Sequence, residues 1–217
     1  MHHPFEIIFS DEFLLVVDKR AKIPVQPAGR GKEKLTLTRL VREREGRRVY
    51  LCHRLDRETS GLLLYARDRR VQQAVMDQFR AKSVRKRYFA FVQGRVRRKS
   101  GVLEGRILDR YGKRYGKKAR FARTRFAVRE RFAAASMLEL FPETGRTHQL
   151  RIQLAGIGHP IIGERIYAFG KDFSVKFRRM ALHAHFLAFR HPVSGERVEC
   201  AAALPPDLRE LRARLQK

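Results

Sequence analysis

One carboxylate in this sequence is set between guanidinium groups. Asp56 stands in Cys52-His53-Arg54-Leu55-Asp56-Arg57-Glu58-Thr59-Ser60-Gly61, with Arg54 and Arg57 beside it. An acid held by arginines stays ionised at neutral pH and is aimed by charge-assisted hydrogen bonds, which suits a nucleophile. The same residues also describe a surface ion pair, which is common and often structural. Tyr88 lies in the basic run Arg85-Lys86-Arg87-Tyr88. There a ring can stack on a base and a hydroxyl can move a proton, or the residue is an ordinary strand tyrosine. Arg151, four residues after Thr147 and flanked by Leu150 and Ile152, is the third candidate. An inward arginine requires a carboxylate or phosphate partner, whereas a surface helix arginine requires none. His183 and His185 alternate with alanine on one strand face and lack Cys, Asp or Glu at a metal-ligand spacing. They read as core or RNA-facing residues, and no metal is expected.

These groups need elements to hold them. Phe5–Phe9 and Phe13–Val17 form a predicted hairpin across Ser10-Asp11-Glu12. Pro24, Pro27, Gly29 and Gly31 mark a loop, and Leu35–Arg44 reads as a short helix. Strands at Val49–Leu51 and Gly61–Tyr65 bracket the Asp56 loop. Val71, Val75 and Phe79 predict an amphipathic helix over Arg69–Lys82. Val84–Gly94, Val102–Leu108, Phe121–Val128 and Ala135–Phe141 read as strands. A helix over His148–Ala155 is expected with Thr147 as its cap and Gly156 and Gly158 at its end. Strands Met180–Phe189 and Arg197–Ala203, then a helix over Leu208–Leu215, complete the chain. The class is therefore α+β with a mixed, mostly antiparallel sheet, and the even spread of strands predicts one domain over 1–217.

The 49 Lys and Arg outnumber 22 Asp and Glu, for a net charge of +27. Such an excess is matched to a polyanion, with nucleic acid first. A membrane surface is not expected, for the sequence has no basic amphipathic helix with bulky anchors and no long apolar run. Residues 80–131 hold 20 Lys and Arg against three Asp and Glu, so they carry +17 of that charge. Within them, residues 109–120 read as a basic arm in which Lys113, Arg114, Lys117 and Lys118 meet phosphates, or as a solvated hairpin tip. Two cysteines in apolar contexts and no secretory signal predict a reduced cytoplasmic protein, expected to be a monomer.

Taken together, these motifs resemble the RluA-type RNA pseudouridine synthases. Ile7–Lys19 resembles that family's opening hairpin, and His53-Arg54-Leu55-Asp56-Arg57 with Thr59-Ser60-Gly61 its signature. Lys86–Gly94 is similar to its tyrosine-bearing strand, and Ala122 and Thr124 to its Ala-x-Thr strand. Gly145–Ile152 and Gly158–Gly163 match its second signature, and Ala181–Ala184 with His191-Pro192 its last strands. The chain departs from the family pattern at Arg20, where proline is usual, at Gln153, where histidine is common, and at Gly163-Glu164, commonly Gly-Asp. The small S4-like RNA-binding domain that precedes many relatives is not expected, because the hairpin begins at residue 5.

The resemblance implies isomerisation of uridine to pseudouridine in rRNA or tRNA, on the pseudouridine synthase fold, without cofactor or metal. It implies that Asp56 is the catalytic carboxylate, that Arg151 pairs with it and that Tyr88 stacks on the uracil. Arg54 would fill the gap left by a flipped base; Arg57, Thr59 and His148 are further expected RNA contacts, and His53, Thr59 and Ser60 shape the loop. Two other classes compete. A non-catalytic RNA-binding or ribosome-assembly protein would keep the basic surface and leave the pocket idle. A glycoside hydrolase would need Asp56 and a second acid such as Glu143, and has no use for the positive charge.

Overall fold

A computed structural model describes residues 3–27, 35–108, 119–168 and 174–217. The predicted arm residues Lys113, Arg114, Lys117 and Lys118 lie outside this set, as do Gly29 and Gly31. The elements run β1 (Phe5–Ser10), β2 (Leu14–Lys19), α1 (Leu37–Glu45), β3 (Tyr50–Leu51), β4 (Ser60–Ala66), α2 (Arg69–Arg80), β5 (Arg85–Gln93), β6 (Ser100–Ile107), β7 (Arg120–Arg131), β8 (Ala135–Pro142), α3 (Gln149–Gly156), β9 (Leu182–Arg190), β10 (Arg197–Ala201) and α4 (Pro206–Leu215). They group into two compact units, one of residues 1–86 and 183–203, the other of 87–182 and 204–217.

In the first unit β2 lies between β1 and β4, antiparallel to both. The free edge of β4 is shared. β3 pairs antiparallel with its last residues, Tyr65 and Ala66, and β9 pairs parallel with its first, Ser60 and Gly61. β10 extends β9. Every residue of β4 is buried, because both faces of the strand are covered. Leu62, Leu64 and Ala66 join Val71 and Val75 of α2 in one apolar cluster. On the other face Tyr65 hydroxyl meets Thr38 Oγ1 of α1 at 3.2 Å. The period-two alternation of β4 thus buries both faces of the strand, and each fully buried Leu there contributes about 1.5–3 kcal/mol.

The caps in this unit follow local rules. Thr36 Oγ1 accepts the Arg39 N–H, and Gly46 ends α1 in the left-handed conformation at φ 62°. Asp68 caps α2 by accepting the N–H groups of Arg70 and Val71.

The second unit is built on the antiparallel order β5-β8-β7-β6, with a bulge between Val128 and Glu130. Its core joins Phe91, Phe126 and Leu140 to Leu150 and Leu154 of α3 and to Leu208 and Leu211 of α4. Thr147 does not cap α3. His148 occupies that position in the left-handed conformation (φ 53°, ψ 20°) and makes no side-chain cap bond. The Gln149 side chain reaches back to the segment before the helix, its Oε1 accepting the Arg146 N–H at 3.0 Å. That amide comes from inside the helix, so the short-range N-cap pattern at Thr147 does not reveal it.

Candidate active site

The Asp56 loop leaves β3 and enters β4, and its anchors grip main chain. Lys19, fully buried at the end of β2, donates from Nζ to the carbonyls of Arg20, Ile23 and Arg57 at 2.9, 2.9 and 3.1 Å. The Arg57 carbonyl also accepts the Lys22 N–H at 2.8 Å, and Arg57 Nε returns a bond to the Lys22 carbonyl at 3.2 Å. This exchange holds Lys22 at φ 70°, a conformation that costs a long side chain about 1 kcal/mol or more. The Thr59 N–H closes a turn onto the Asp56 carbonyl at 3.1 Å, and Leu55 is buried beneath it. Arg54 and Arg57 are exposed, Asp56 is half-buried and Thr59 is buried. The exposed Arg57 guanidinium therefore ties down the Lys22 segment.

The two ends of the loop are closed by histidines. His53 Nε2 accepts the Leu64 N–H at 3.1 Å, which requires the neutral ring with its proton on Nδ1. Burial, then the nearby Lys86 charge, push its pKa down to about 3. At the other end Ser60 Oγ and His183 Nδ1 lie 3.0 Å apart, both buried. Gly61 follows at φ 114°. A Cβ there would fall 2.3 Å from the Ala184 carbonyl oxygen, so the parallel register with β9 admits only glycine.

The second unit holds Tyr88, His148 and Arg151. Tyr88 is half-buried on β5, opposite Leu140, and packs on the unit's core. Arg151 is 8% exposed, so it is an inward arginine. It forms a fork with Glu164, Nε to Oε2 at 2.6 Å and Nη2 to Oε1 at 2.8 Å, and its guanidinium stacks 5.2 Å from the Tyr167 ring centre. Burial would raise the Glu164 pKa. The bonds and charge of Arg151, with the N–H groups of Ile166 and Tyr167, overcome that and hold it below the usual carboxylate range. Tyr167 hydroxyl also meets His148 Nδ1 at 2.9 Å. Glu164, Tyr167, His148 and Arg151 are thus one cluster. Of these, the sequence reading assigned a site role only to His148 and Arg151, although the demand of a buried guanidinium for an acid was its signal for Glu164.

A chain of side-chain amides sets the pose of α3. Thr124 Oγ1 donates to Gln153 Oε1 at 2.7 Å and accepts from Gln149 Nε2 at 2.9 Å. Gln153 Nε2 donates to the Leu103 carbonyl at 2.9 Å, and Thr144 Oγ1 to Gln149 Oε1 at 2.7 Å. Buried polar groups that are all partnered rigidify a helix that apolar packing alone would leave free to rotate.

The described part of the basic region is partly neutralised within its own sheet. Glu143 pairs with Arg123 and Arg125, both at 3.1 Å, Glu104 with Arg123 at 2.7 Å, and Glu139 with Arg129. Glu143 is therefore an ion-pair partner, which weighs against its use as a second hydrolytic acid. Among the described residues there is no group of three or more His, Cys, Asp or Glu placed to hold a metal, and no helix long and apolar enough to cross a membrane.

Comparison with known proteins agrees with the motif order. The family model for RNA pseudouridylate synthase matches residues 13–156. Ribosomal large subunit pseudouridine synthase D of Xanthomonas campestris pv. campestris is 36% identical over 99% of this chain and 70% of its own length. Ribosomal large subunit pseudouridine synthase C of Pasteurella multocida is 33% identical over 98% of this chain and 68% of its own. The solved structure of human RNA Pseudouridylate Synthase Domain Containing 4 superposes with a TM-score of 0.83 at 26% identity, covering 97% of this chain and 92% of that one. A hairpin, an Asp-bearing signature loop, a tyrosine strand and a buried arginine helix, met in the same order and matched over almost the whole sequence, place the chain in the RluA-type RNA pseudouridine synthase family, as an isomerase.

Proposed function

We propose that the chain converts a specific uridine of structured ribosomal RNA to pseudouridine, with Asp56 as the catalytic carboxylate. The names of the bacterial relatives support the large-subunit target. The N1–C1′ bond breaks, the uracil turns, and a C5–C1′ bond forms; C5 loses a proton and N1 gains one, so the balance needs no redox partner and no water. The uridine leaves its stack to reach the carboxylate, and a closed pocket keeps water from the sugar. On the family pattern Arg151 is the counter-charge that keeps Asp56 ionised, Tyr88 stacks on the uracil, and Arg54 fills the vacated stack. Arg57, Thr59 and His148 line the RNA path, and Lys113, Arg114, Lys117 and Lys118 follow phosphates. The span 1–217 acts as one catalytic domain.

The observation that carries this reading is the construction of the Asp56 loop. Lys19 and Lys22 both bind the Arg57 carbonyl and Thr59 binds that of Asp56, so main-chain bonds fix the Asp56 backbone. A surface ion pair needs no such frame; a nucleophile that must meet one carbon does. The test is to incubate the protein with unmodified large-subunit rRNA and with tRNA and to map pseudouridine. The parent should modify few sites, in the ribosomal RNA. Asp56→Asn should lose at least about 10³-fold in rate, since an amide cannot supply the carboxylate's chemistry. Turnover by a rigorously pure Asp56→Asn preparation removes Asp56 from the role. Modification confined to tRNA corrects the target.

A further inference from the structure

The first unit carries a concentration of arginine unrelated to the Asp56 loop or the basic arm. Arg47, Arg48, Arg69 and Arg70 are all exposed. Arg48 and Arg69 approach the same half-buried ring, their guanidinium carbons 5.4 and 5.6 Å from the Tyr50 centroid. Stacking orients a guanidinium and leaves its charge and donors for a ligand. Acids close by in sequence are used elsewhere. Glu43 pairs with Arg39 at 2.7 Å, Glu45 with Arg67, and Asp68 Oδ1 accepts the N–H groups of Arg70 and Val71.

Helix electrostatics sharpen the point. Arg42 and Arg44 end α1, where the helix dipole favours cations. Arg69 and Arg70 open α2, where it disfavours them, and the first turn of α2 has no acid. The Asp68 cap supplies one carboxylate at that end, against the two cations Arg69 and Arg70 and a third, Arg48, on the same ring. The cations outnumber that one acid, and an anion on this surface balances them.

We infer that Arg48 and Arg69 on Tyr50, with the exposed Arg47 and Arg70 next to them in the chain, form a docking surface for the RNA sugar–phosphate backbone, remote from the reacting uridine. The inference rests on the RNA substrate proposed above. The spacing follows from β4. Tyr50 pairs with Ala66 at its end, whereas the Asp56 loop enters at Ser60, and six residues of strand span about 20 Å. An RNA held at both points is gripped over that distance. The surface contacts phosphates and carries no sequence information, so it adds affinity and register.

The test is the affinity of a labelled stem–loop RNA with a uridine-containing loop, measured over a potassium chloride series. Arg48→Gln/Arg69→Gln should bind several-fold more weakly at physiological salt, and two lost phosphate contacts should lower the log–log salt slope by about 1.4–1.8. Arg48→Lys/Arg69→Lys keeps the charges and loses the stacked fork, so it should retain the slope and lose only part of the affinity. Thermal melts by circular dichroism check that the variants fold. Unchanged slope and affinity in the glutamine pair overturn the inference. So does a loss confined to polyglutamate, run as a second probe, which assigns the surface to an acidic protein. Pseudouridine formation is scored separately: a parent that binds with the arginine-dependent slope and modifies nothing sinks the enzymatic reading and leaves this surface standing.

Discussion

The two units hold their candidate residues by opposite means. In the first, one buried cation reaches three carbonyls, and the Asp56 loop is fixed through its peptide groups. In the second, α3 is fixed through side chains, with Gln149 and Gln153 bonded to Thr124 and Thr144, and Arg151 forked onto Glu164. Main-chain anchoring leaves the exposed Arg54 side chain outside the frame, whereas Arg57 Nε joins the frame through the Lys22 carbonyl. Side-chain anchoring makes a helix dependent on each partner, so changes around α3 reach Arg151.

The largest stability effect should come from Lys19→Met. It removes a buried charge whose three acceptors would be left facing an apolar tail, at a cost of about 3–5 kcal/mol. Chemical denaturation measures it, and near-parental stability would show that the loop does not depend on this anchor. Arg151→Met comes next, at about 3 kcal/mol, because Glu164 is left buried and unpaired. Arg151→Met/Glu164→Gln, which removes the charge and keeps an acceptor for the Ile166 and Tyr167 N–H groups, separates structure from chemistry. Stability should largely return in the double variant while pseudouridine formation stays low; recovery of both would reduce Arg151 to a structural partner of Glu164.

The smallest effect has the opposite sign. Asp18 on β2 stands opposite Glu6 on β1, and burial, with the Glu6 charge second, raises its pKa to about 6 against the favourable charges of Arg20 and Lys19. The folded state therefore holds this proton more tightly than the unfolded chain. The cost of ionisation is complete above pH 6 and disappears as pH falls towards the ordinary carboxylate value near 4. Asp18→Asn should stabilise the protein by about 1 kcal/mol at pH 7.5, after discounting for its partial exposure, and by nothing near pH 4. Melting temperatures at the two pH values decide it.

What could be read in advance follows the same division. The β1–β2 hairpin, the loop between β3 and β4, and α2 with its four-residue apolar spacing depend on patterns a few residues long, and they stand where the sequence predicts them. The loop's glycine was legible as punctuation, but the Ala184 carbonyl that enforces it lies more than a hundred residues away. Thr147 met the local rule for a cap, yet His148 holds the cap position in the left-handed conformation, and the amide of Gln149 is bonded to Thr144 and Thr124 across the fold. Arg151 could be read as needing an acid; Glu164 could not be picked out from spacing, because a loop brings it back. Lys19 ends β2, and its burial depends on three carbonyls no linear pattern displays.

The two cysteines acquire a use from where they lie. Cys52, just ahead of the Asp56 loop, and Cys200 on β10 are both buried, and burial pushes their thiols up to about 12 and about 11. Both belong to the first unit. Only the thiolate reacts with an alkylating reagent, so neither is modified at neutral pH until its surroundings open. The rates at which the unaltered protein takes up label at these two positions therefore report local opening ahead of the loop, at Cys52, and on β10, at Cys200. Slower labelling of Cys52 than of Cys200 on adding RNA would show that substrate quiets the loop's entry strand in particular.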